Sequence, residues 1–260
     1  MAAACSDEFT LLLAGEKPLG DFQDLDIEVK PLQYRDIPRA VDGDFKAFAN
    51  NSMQRYLIDA EDFRLHHVRK WIDSVVRFTD AVKRGKIITV DRGDANLLYG
   101  VPGNNTEKPP FSWIVSLVGA LGSRELRKVR HGQGDCYASV SSCTRKITLE
   151  QRRKEIITKS QALLEAAIGE RVDELFEVQR LATVPAKQGR GYATALISVV
   201  HDLADAQGRA TYVFTGDTWK FYESVGYKLV GEDWFGNDNP KYHGPPGPIR
   251  LMLREPQPLK

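Results

Sequence analysis

Apolar and polar residues alternate through IEVKPL at 27–32, the period of two expected of a half-buried strand, and predict a first strand there. Asp36 followed by Pro38 reads as a helix start, because an Asp can cap free N–H groups and Pro is tolerated in the first turn. That predicts a helix to about residue 50. Across 61–84, Phe63, Val68, Trp71, Ile72, Val75, Val76, Phe78, Ala81 and Val82 keep helical spacing, and Gly85 stops the pattern. Two β-rich runs, 86–90 (KIITV) and 97–101 (LLYGV), flank Asp, Gly and Asn residues with turn chemistry and predict a hairpin. After a break at 102–110 (PGNNTEKPP), the pattern predicts a helix over 111–129, a Gly/Ser-rich bridge over 131–142, and an amphipathic helix over 149–168 ended by Gly169. A strand at 174–183, a helix at 189–206, a strand at 211–215, a short helix at 217–224 and strands at 227–230 and 249–253 complete the series. Strands and helices interleave without repeat, so the fold class is α/β, in the mixed α+β sense.

Composition narrows the picture. The chain has 260 residues, 42% of them hydrophobic, enough for a sizeable core. Residues 1–24 lack sustained periodicity and read as a flexible lead-in, leaving 25–260 as a single domain that carries an insertion. Lys and Arg total 36 against 35 Asp and Glu, a net charge of +1 that gives no electrostatic reason to expect a nucleic-acid partner. The most apolar stretch, WIVSLVGALG at 113–122, is about half of the ~20 residues a bilayer span needs, so no membrane partner is expected. Asp7 and Glu8 precede Leu11, Leu12 and Leu13 where a secretory signal would be basic, and the sequons at Asn50 and Asn104 then read as chance. Three cysteines (Cys5, Cys136, Cys143) suit a reducing compartment, so the location expected is cytoplasmic or nuclear. No Cys or His spacing points to a structural zinc, and no metal is expected.

The informative run is EVQRLATVPAKQGRGYAT, residues 177–194. Its strand ends near Pro185, a turn holds Gln188, Gly189, Arg190 and Gly191, and an apolar helix follows at once. Glycines between strand and helix let the backbone approach a ligand, and the free N–H groups and dipole of the helix start favour a phosphate. The run is neither a dinucleotide fingerprint, since Thr194 stands where the third glycine belongs, nor a Walker loop, since Gly-Lys-Ser/Thr is absent. By itself it could equally be a turn used for packing.

A second run changes that. Gln188-Gly189-Arg190-Gly191-Tyr192-Ala193 resembles the Q/R-x-x-G-x-G/A signature of the GNAT superfamily of acetyl-CoA-dependent N-acetyltransferases, placed between fourth strand and helix as in that family. About 30 residues on, Phe221-Tyr222-Glu223-Ser224-Val225-Gly226-Tyr227 resembles its second signature, a short helix ending in aromatic-Tyr-Glu-x-x-Gly-aromatic. The chain is also similar to GNAT-domain proteins of filamentous fungi. The resemblance implies a central, mostly antiparallel twisted sheet flanked by helices, here with a helical insertion at about 102–172 between strands 3 and 4.

It further implies acetyl-CoA as cosubstrate, with its pyrophosphate on the main chain of Gln188, Gly189, Arg190, Gly191, Tyr192, Ala193 and Thr194 and its pantetheine arm along Leu181, Ala182 and Thr183. An amine must lose a proton to attack a thioester, and Glu177, eleven residues before Gln188, matches the catalytic glutamate of the histone-type branch. The plainer reading is a strand glutamate in a salt bridge. Tyr222 matches the tyrosine that protonates the leaving thiolate, against a packing role. Thr215 departs from the family's asparagine seven residues before that tyrosine, with Asp217 the nearest polar alternative. The loop 231–247, with Trp234, Phe235, Asp238, Tyr242 and His243, is the candidate acceptor lid, against a structural connection. The apolar stripe of Trp113, Ile114, Leu117, Val118 and Leu121 either caps the core, walls the acceptor site or makes a dimer contact. The expected partner is a small-molecule amine, with the chain a monomer or homodimer. The alternatives are a protein lysine or N-terminal acetyltransferase, a non-catalytic acyl-CoA-binding module and a nucleotide-binding domain.

Overall fold

Strands β1 (Lys30–Pro31), β2 (Ile87–Val90), β3 (Ala95–Gly100), β4 (Phe176–Thr183), β5 (Thr211–Thr215), β6 (Lys228–Phe235) and β7 (Gly247–Arg254) form one sheet in the order β1-β2-β3-β4-β5-β7-β6. The computed structural model describes residues 27–58, 66–103, 136–237, 239–240 and 242–258, with the backbone alone for residue 66 and residues 136–150. Every neighbouring pair is antiparallel except β4 and β5, which run parallel. The helices are α1 (Ile37–Ala47), α2 (Ser52–Ile58), α3 (His66–Lys83), α4 (Cys136–Ala167), α5 (Tyr192–Asp205) and α6 (Trp219–Ser224).

Two cores lie on opposite faces of the sheet. On one, Leu196, Ile197, Val200 and Ala204 of α5 and Tyr222 of α6 pack on Val90, Leu97, Phe176, Val178 and Val213. On the other, Ile37, Ala40 and Val41 of α1 and Phe78 and Ala81 of α3 pack on Ile87 and Leu98. Adjacent strand residues face opposite ways, so Leu97 and Leu98 belong to different cores, as the period of two requires. The hairpin turn between β2 and β3 is tight against α1. A Cβ on Gly93, at φ +109°, would come within 2.9 Å of the Ala40 nitrogen.

Several expectations need correction. The first strand is only Lys30–Pro31, although Ile27 and Val29 still pack on the α5-side core. Asp36 does not cap α1; its carboxylate, in a buried side chain, accepts from Arg92 Nε at 3.1 Å instead. The helix expected to begin near 149 starts at Cys136, inside the stretch read as a Gly/Ser-rich bridge. The strand expected at 227–230 continues to Phe235, passing a register shift between Leu229 and Gly231. Helix α2 was not anticipated, yet Asn51 Oδ1 accepts from the Met53 and Gln54 N–H groups, the cap signal that announces it. The lead-in, the expected helix at 111–129 with its apolar stripe, and Asp238 lie outside the described residues.

Helix α4 supplies the helical insertion between β3 and β4 and is bound to the rest by polar contacts. Glu155 accepts from the Tyr56 hydroxyl and, at 2.8 Å, from the Gly236 N–H, while Lys159 Nζ donates to the Trp234 carbonyl at 2.6 Å. Arg152 is buried between the rings of Tyr56 and Tyr242, 4.8 and 5.2 Å from their centroids, and donates to the Tyr56 carbonyl. Burial and the Glu155 carboxylate push the Tyr56 hydroxyl up to about 12, so it remains the donor of that pair.

Candidate active site

The middle of the sheet is split. β4 pairs with β5 only at Phe176, Glu177 and Val178, opposite Thr211, Tyr212 and Val213. Beyond Val178 the rest of β4 keeps its pairing to β3, from Arg180 opposite Leu98 to Thr183 opposite Ala95, but has none to β5. A bulge marks the change: Leu98 faces Arg180 while Tyr99 faces Val178, leaving Gln179 as the extra residue. The bulge bends β4 away from β5 and resets its alternation. Val178 and Leu181 therefore both contact the α5-side core, and Glu177 and Arg180 share the opposite face.

The turn after β4 is built to present backbone. Gly189 and Gly191 hold φ +72° and +79°, the left-handed region that suits glycine, and α5 begins at Tyr192. Its first backbone bond is donated by Ala195 to Gly191, so the N–H groups of Tyr192, Ala193 and Thr194 have no partner within the helix. Arg190 is exposed beside them. The turn is anchored at both ends. Gln188 Nε2 donates to the Thr183 carbonyl at 3.1 Å, and the Tyr192 hydroxyl donates to Asp91, which Lys187 also approaches at 3.5 Å. The Tyr192 hydrogen bond holds the Asp91 carboxyl below its usual range and raises the phenol.

Thr183 Oγ1, at the end of β4 on the α5 side, is buried without a hydrogen-bond partner. Tyr222 is buried on that side among Phe221 and Tyr227, its ring edge-on to both, and burial raises its pKa. Its hydroxyl therefore keeps its proton at neutral pH and can serve as a donor. Glu177 lies on the opposite face, beside Tyr212 of β5. Burial raises the Glu177 carboxyl, and the hydrogen bond from Gln179 Nε2 at 2.8 Å offsets only part of that. A carboxylate raised in this way is a stronger base than one in water.

Other expected residues sit elsewhere. Thr215 bonds the Thr218 hydroxyl at 3.1 Å, and Asp217 accepts from the Ser52 N–H at 2.9 Å, which ties α2 to the turn after β5. Trp234 lies on the edge strand, separated from β4 by β5 and β7, and is 41% exposed. Tyr242 packs edge-on against Tyr56 and donates to the Pro245 carbonyl at 3.0 Å, while His243 is exposed. Sequence reasoning missed a charged cluster on the Glu177 face. Asp44 of α1, 1% exposed, takes two hydrogen bonds of 2.5 Å from Arg180, with Asp73 and Arg77 of α3 close by. The signal was present: Asp44 continues the buried stripe Ile37, Ala40, Val41, and a carboxylate in that register implies a buried cation.

The whole fold has counterparts among solved structures. Arylalkylamine N-acetyltransferase 2 from Aedes aegypti superposes with a TM-score of 0.54 at 16% identity, over 90% of this chain and 100% of the other. The fold is that of the GNAT N-acetyltransferases. Drosophila melanogaster polyamine N-acetyltransferase gives 0.55 at 12% identity, over 88% and 100%, and an agmatine N-acetyltransferase gives 0.53 at 12%, over 89% and 100%. No family model matches the sequence, and no curated protein is similar to it. Among the described residues, no helix is long and apolar enough to cross a membrane, and no group of three or more His, Cys, Asp or Glu side chains could hold a metal ion.

Proposed function

We propose that the chain is an acetyl-CoA-dependent N-acetyltransferase acting on the primary amine of a small molecule. The observation that carries this reading is the parting of β4 from β5 after Val178, with Glu177 on one face of the gap and Tyr222 on the other. An amine and a thioester brought from opposite faces meet there.

The residues present suit the coenzyme. The free edge of β4 at Leu181, Ala182 and Thr183 offers main-chain groups, and the orphan Thr183 hydroxyl a further one, to an amide-bearing arm. Tyr192, Ala193 and Thr194 offer their N–H groups, and Arg190 a positive charge, to a pyrophosphate. Glu177, directly or through a water, takes a proton from the attacking amine as its nitrogen bonds to the acyl carbon. A β4 N–H beside the gap stabilises the negative charge developing on the acyl oxygen. Tyr222 gives its proton to the departing thiolate. Burial favours the protonated phenol that Tyr222 needs as a donor, and it raises the Glu177 carboxyl, so that once ionised it is a stronger base than a carboxylate in water.

The arylalkylamine, polyamine and agmatine enzymes named above share the fold and support an amine acceptor. The test is calorimetric titration with acetyl-CoA followed by a thiol-release assay over a panel of amines in a cytosol-like reducing buffer. Tight binding with acceptor-dependent thiol release is expected. Binding without release on any amine would replace the enzyme reading with a silent acyl-CoA module, and no binding would overturn both.

A further inference from the structure

Gln179 stands apart from the rest of β4. β3 skips it at the bulge, between Val178 opposite Tyr99 and Arg180 opposite Leu98. It is also the first residue past Val178, where the pairing to β5 ends. Gln179 therefore lies at the opening of the gap without a cross-strand partner on either side. Its side chain turns to its own strand instead, and Nε2 donates to Glu177 Oε2 at 2.8 Å. Among the described residues this is the only hydrogen bond to the Glu177 carboxylate, and Oε1 is left without one. A carboxylate can only accept, so the contact fixes the amide with its nitrogen toward Glu177 and its oxygen away.

The chemistry favours an amide in this place. A general base has to be held in one orientation and still remain basic. A Lys or Arg would hold the carboxylate, but its charge would favour the ionised form and weaken the base, whereas an apolar side chain would leave the glutamate rotamers free. The amide holds it without a charge. Burial still raises the Glu177 carboxyl, and the Gln179 hydrogen bond takes back only part of that. The other charged and titratable groups around Glu177 are accounted for. Arg180 is tied to Asp44 of α1, with Asp73 and Arg77 of α3 and Arg153 of α4 around that pair. Tyr212 of β5, opposite Glu177, is a phenol that burial keeps protonated, and Asp173, just before β4, acts on that phenol. Among the described residues Glu177 makes no ion pair.

We propose that Gln179 is the positioning residue for the base: its amide N–H holds Glu177 Oε2, so that Oε1 alone is presented to the attacking amine. This rests on the N-acetyltransferase reading and adds a residue to its machinery. The bulge thus does two things at once. It opens β4 from β5, and it frees one side chain from the ladder to fix the carboxylate beside the opening.

The test measures kcat against pH at saturating amine and acetyl-CoA in the wild type, Gln179→Met, Gln179→Lys and Glu177→Gln, with a carbon NMR titration of the Glu177 carboxyl in parallel. Gln179→Met removes the donor and keeps the length of the side chain, while Gln179→Lys keeps a donor and adds a charge. Melting temperature and acetyl-CoA affinity are recorded for each. The acidic limb of kcat, which reports the base in the complex, is expected to move to higher pH in Gln179→Met and to lower pH in Gln179→Lys. On the plateau, Gln179→Met should lose about tenfold in kcat, more than it changes amine KM, because the base is no longer held in place. A merely structural Gln179 would shift the melting temperature without moving the limb in opposite directions. A limb at the same pH in the wild type and both Gln179 variants, or wild-type kcat in Gln179→Met, overturns the proposal and leaves Glu177 as the base. Wild-type turnover in Glu177→Gln removes the base assignment and the proposal with it. If no amine is acetylated, the NMR titration decides: a carboxyl midpoint that rises in Gln179→Met upholds the hold on Glu177 although the enzyme reading fails, and an unmoved midpoint overturns both.

Discussion

The two faces of the sheet at β4 are assembled in different ways. On the α5 side, the proposed coenzyme site comes from neighbouring stretches of chain: β4, the glycine turn, α5 and α6 all lie within Phe176–Ser224. On the other side, Arg180 of β4 pairs with Asp44 from α1, with Asp73 and Arg77 from α3 and Arg153 from α4 close by. One is a local device that a short motif encodes. The other exists only after distant elements have packed, so it can vary without disturbing the coenzyme frame. That separates the proposed donor site from the face proposed for the acceptor.

The sharpest way to break this comparison is Glu177→Gln. On general-base grounds kcat/KM is expected to fall by about 10²–10⁴-fold with acetyl-CoA affinity retained. The same variant should melt higher at neutral pH. Burial raises the folded carboxyl above its ordinary value, so its favourable contribution is present at low pH and is lost as pH rises through the folded value. Glutamine removes that loss, and the gain over wild type should vanish below pH about 4. A parallel fall in coenzyme affinity would show that the two faces are not separable.

Asp44→Ala comes next. Removing one member of a buried ion pair costs about 3–5 kcal/mol, visible as a lower denaturation midpoint. Amine KM should rise more than acetyl-CoA affinity changes, and the reverse pattern would place Arg180 on the coenzyme side. Gly191→Ala forces a Cβ onto a left-handed backbone at φ +79°, 3.3 Å from Ile27 Cδ1, at about 1–2 kcal/mol. Its kinetic effect should appear in coenzyme affinity with amine KM unchanged. Tyr192→Phe, which removes the hydrogen bond to Asp91, should cost less than about 1 kcal/mol and weaken coenzyme binding only slightly.

The same division explains what could be read in advance. The strand at 211–215 appears with the expected bounds because TYVFT is β-branched and aromatic throughout, and the glycine turn announces α5 because its conformation depends on residues in sequence contact. The start of α4 at Cys136 was hidden because Ser, Thr and Cys are weak helix formers, so that stretch carries little helical signal. β6 outlasts its apolar run because pairing with β7 carries Glu232 and Asp233 in the ladder whatever their polarity. The charged cluster around Arg180 left one trace, a carboxylate on the buried stripe of α1. Its partner, 136 residues away, is set by the packing of α1 on β4 and by no pattern in the chain.

The short parallel pairing of β4 with β5 also bears on mechanical coherence. Four strands lie on one side of it and three on the other, and three residue pairs stitch them together. A ligand main chain laid against the free length of β4 would act as a splint across that seam. Donor binding should then slow amide exchange along β5 and β7 as well as in the glycine turn, so that the substrate becomes a temporary structural member of the sheet that holds it.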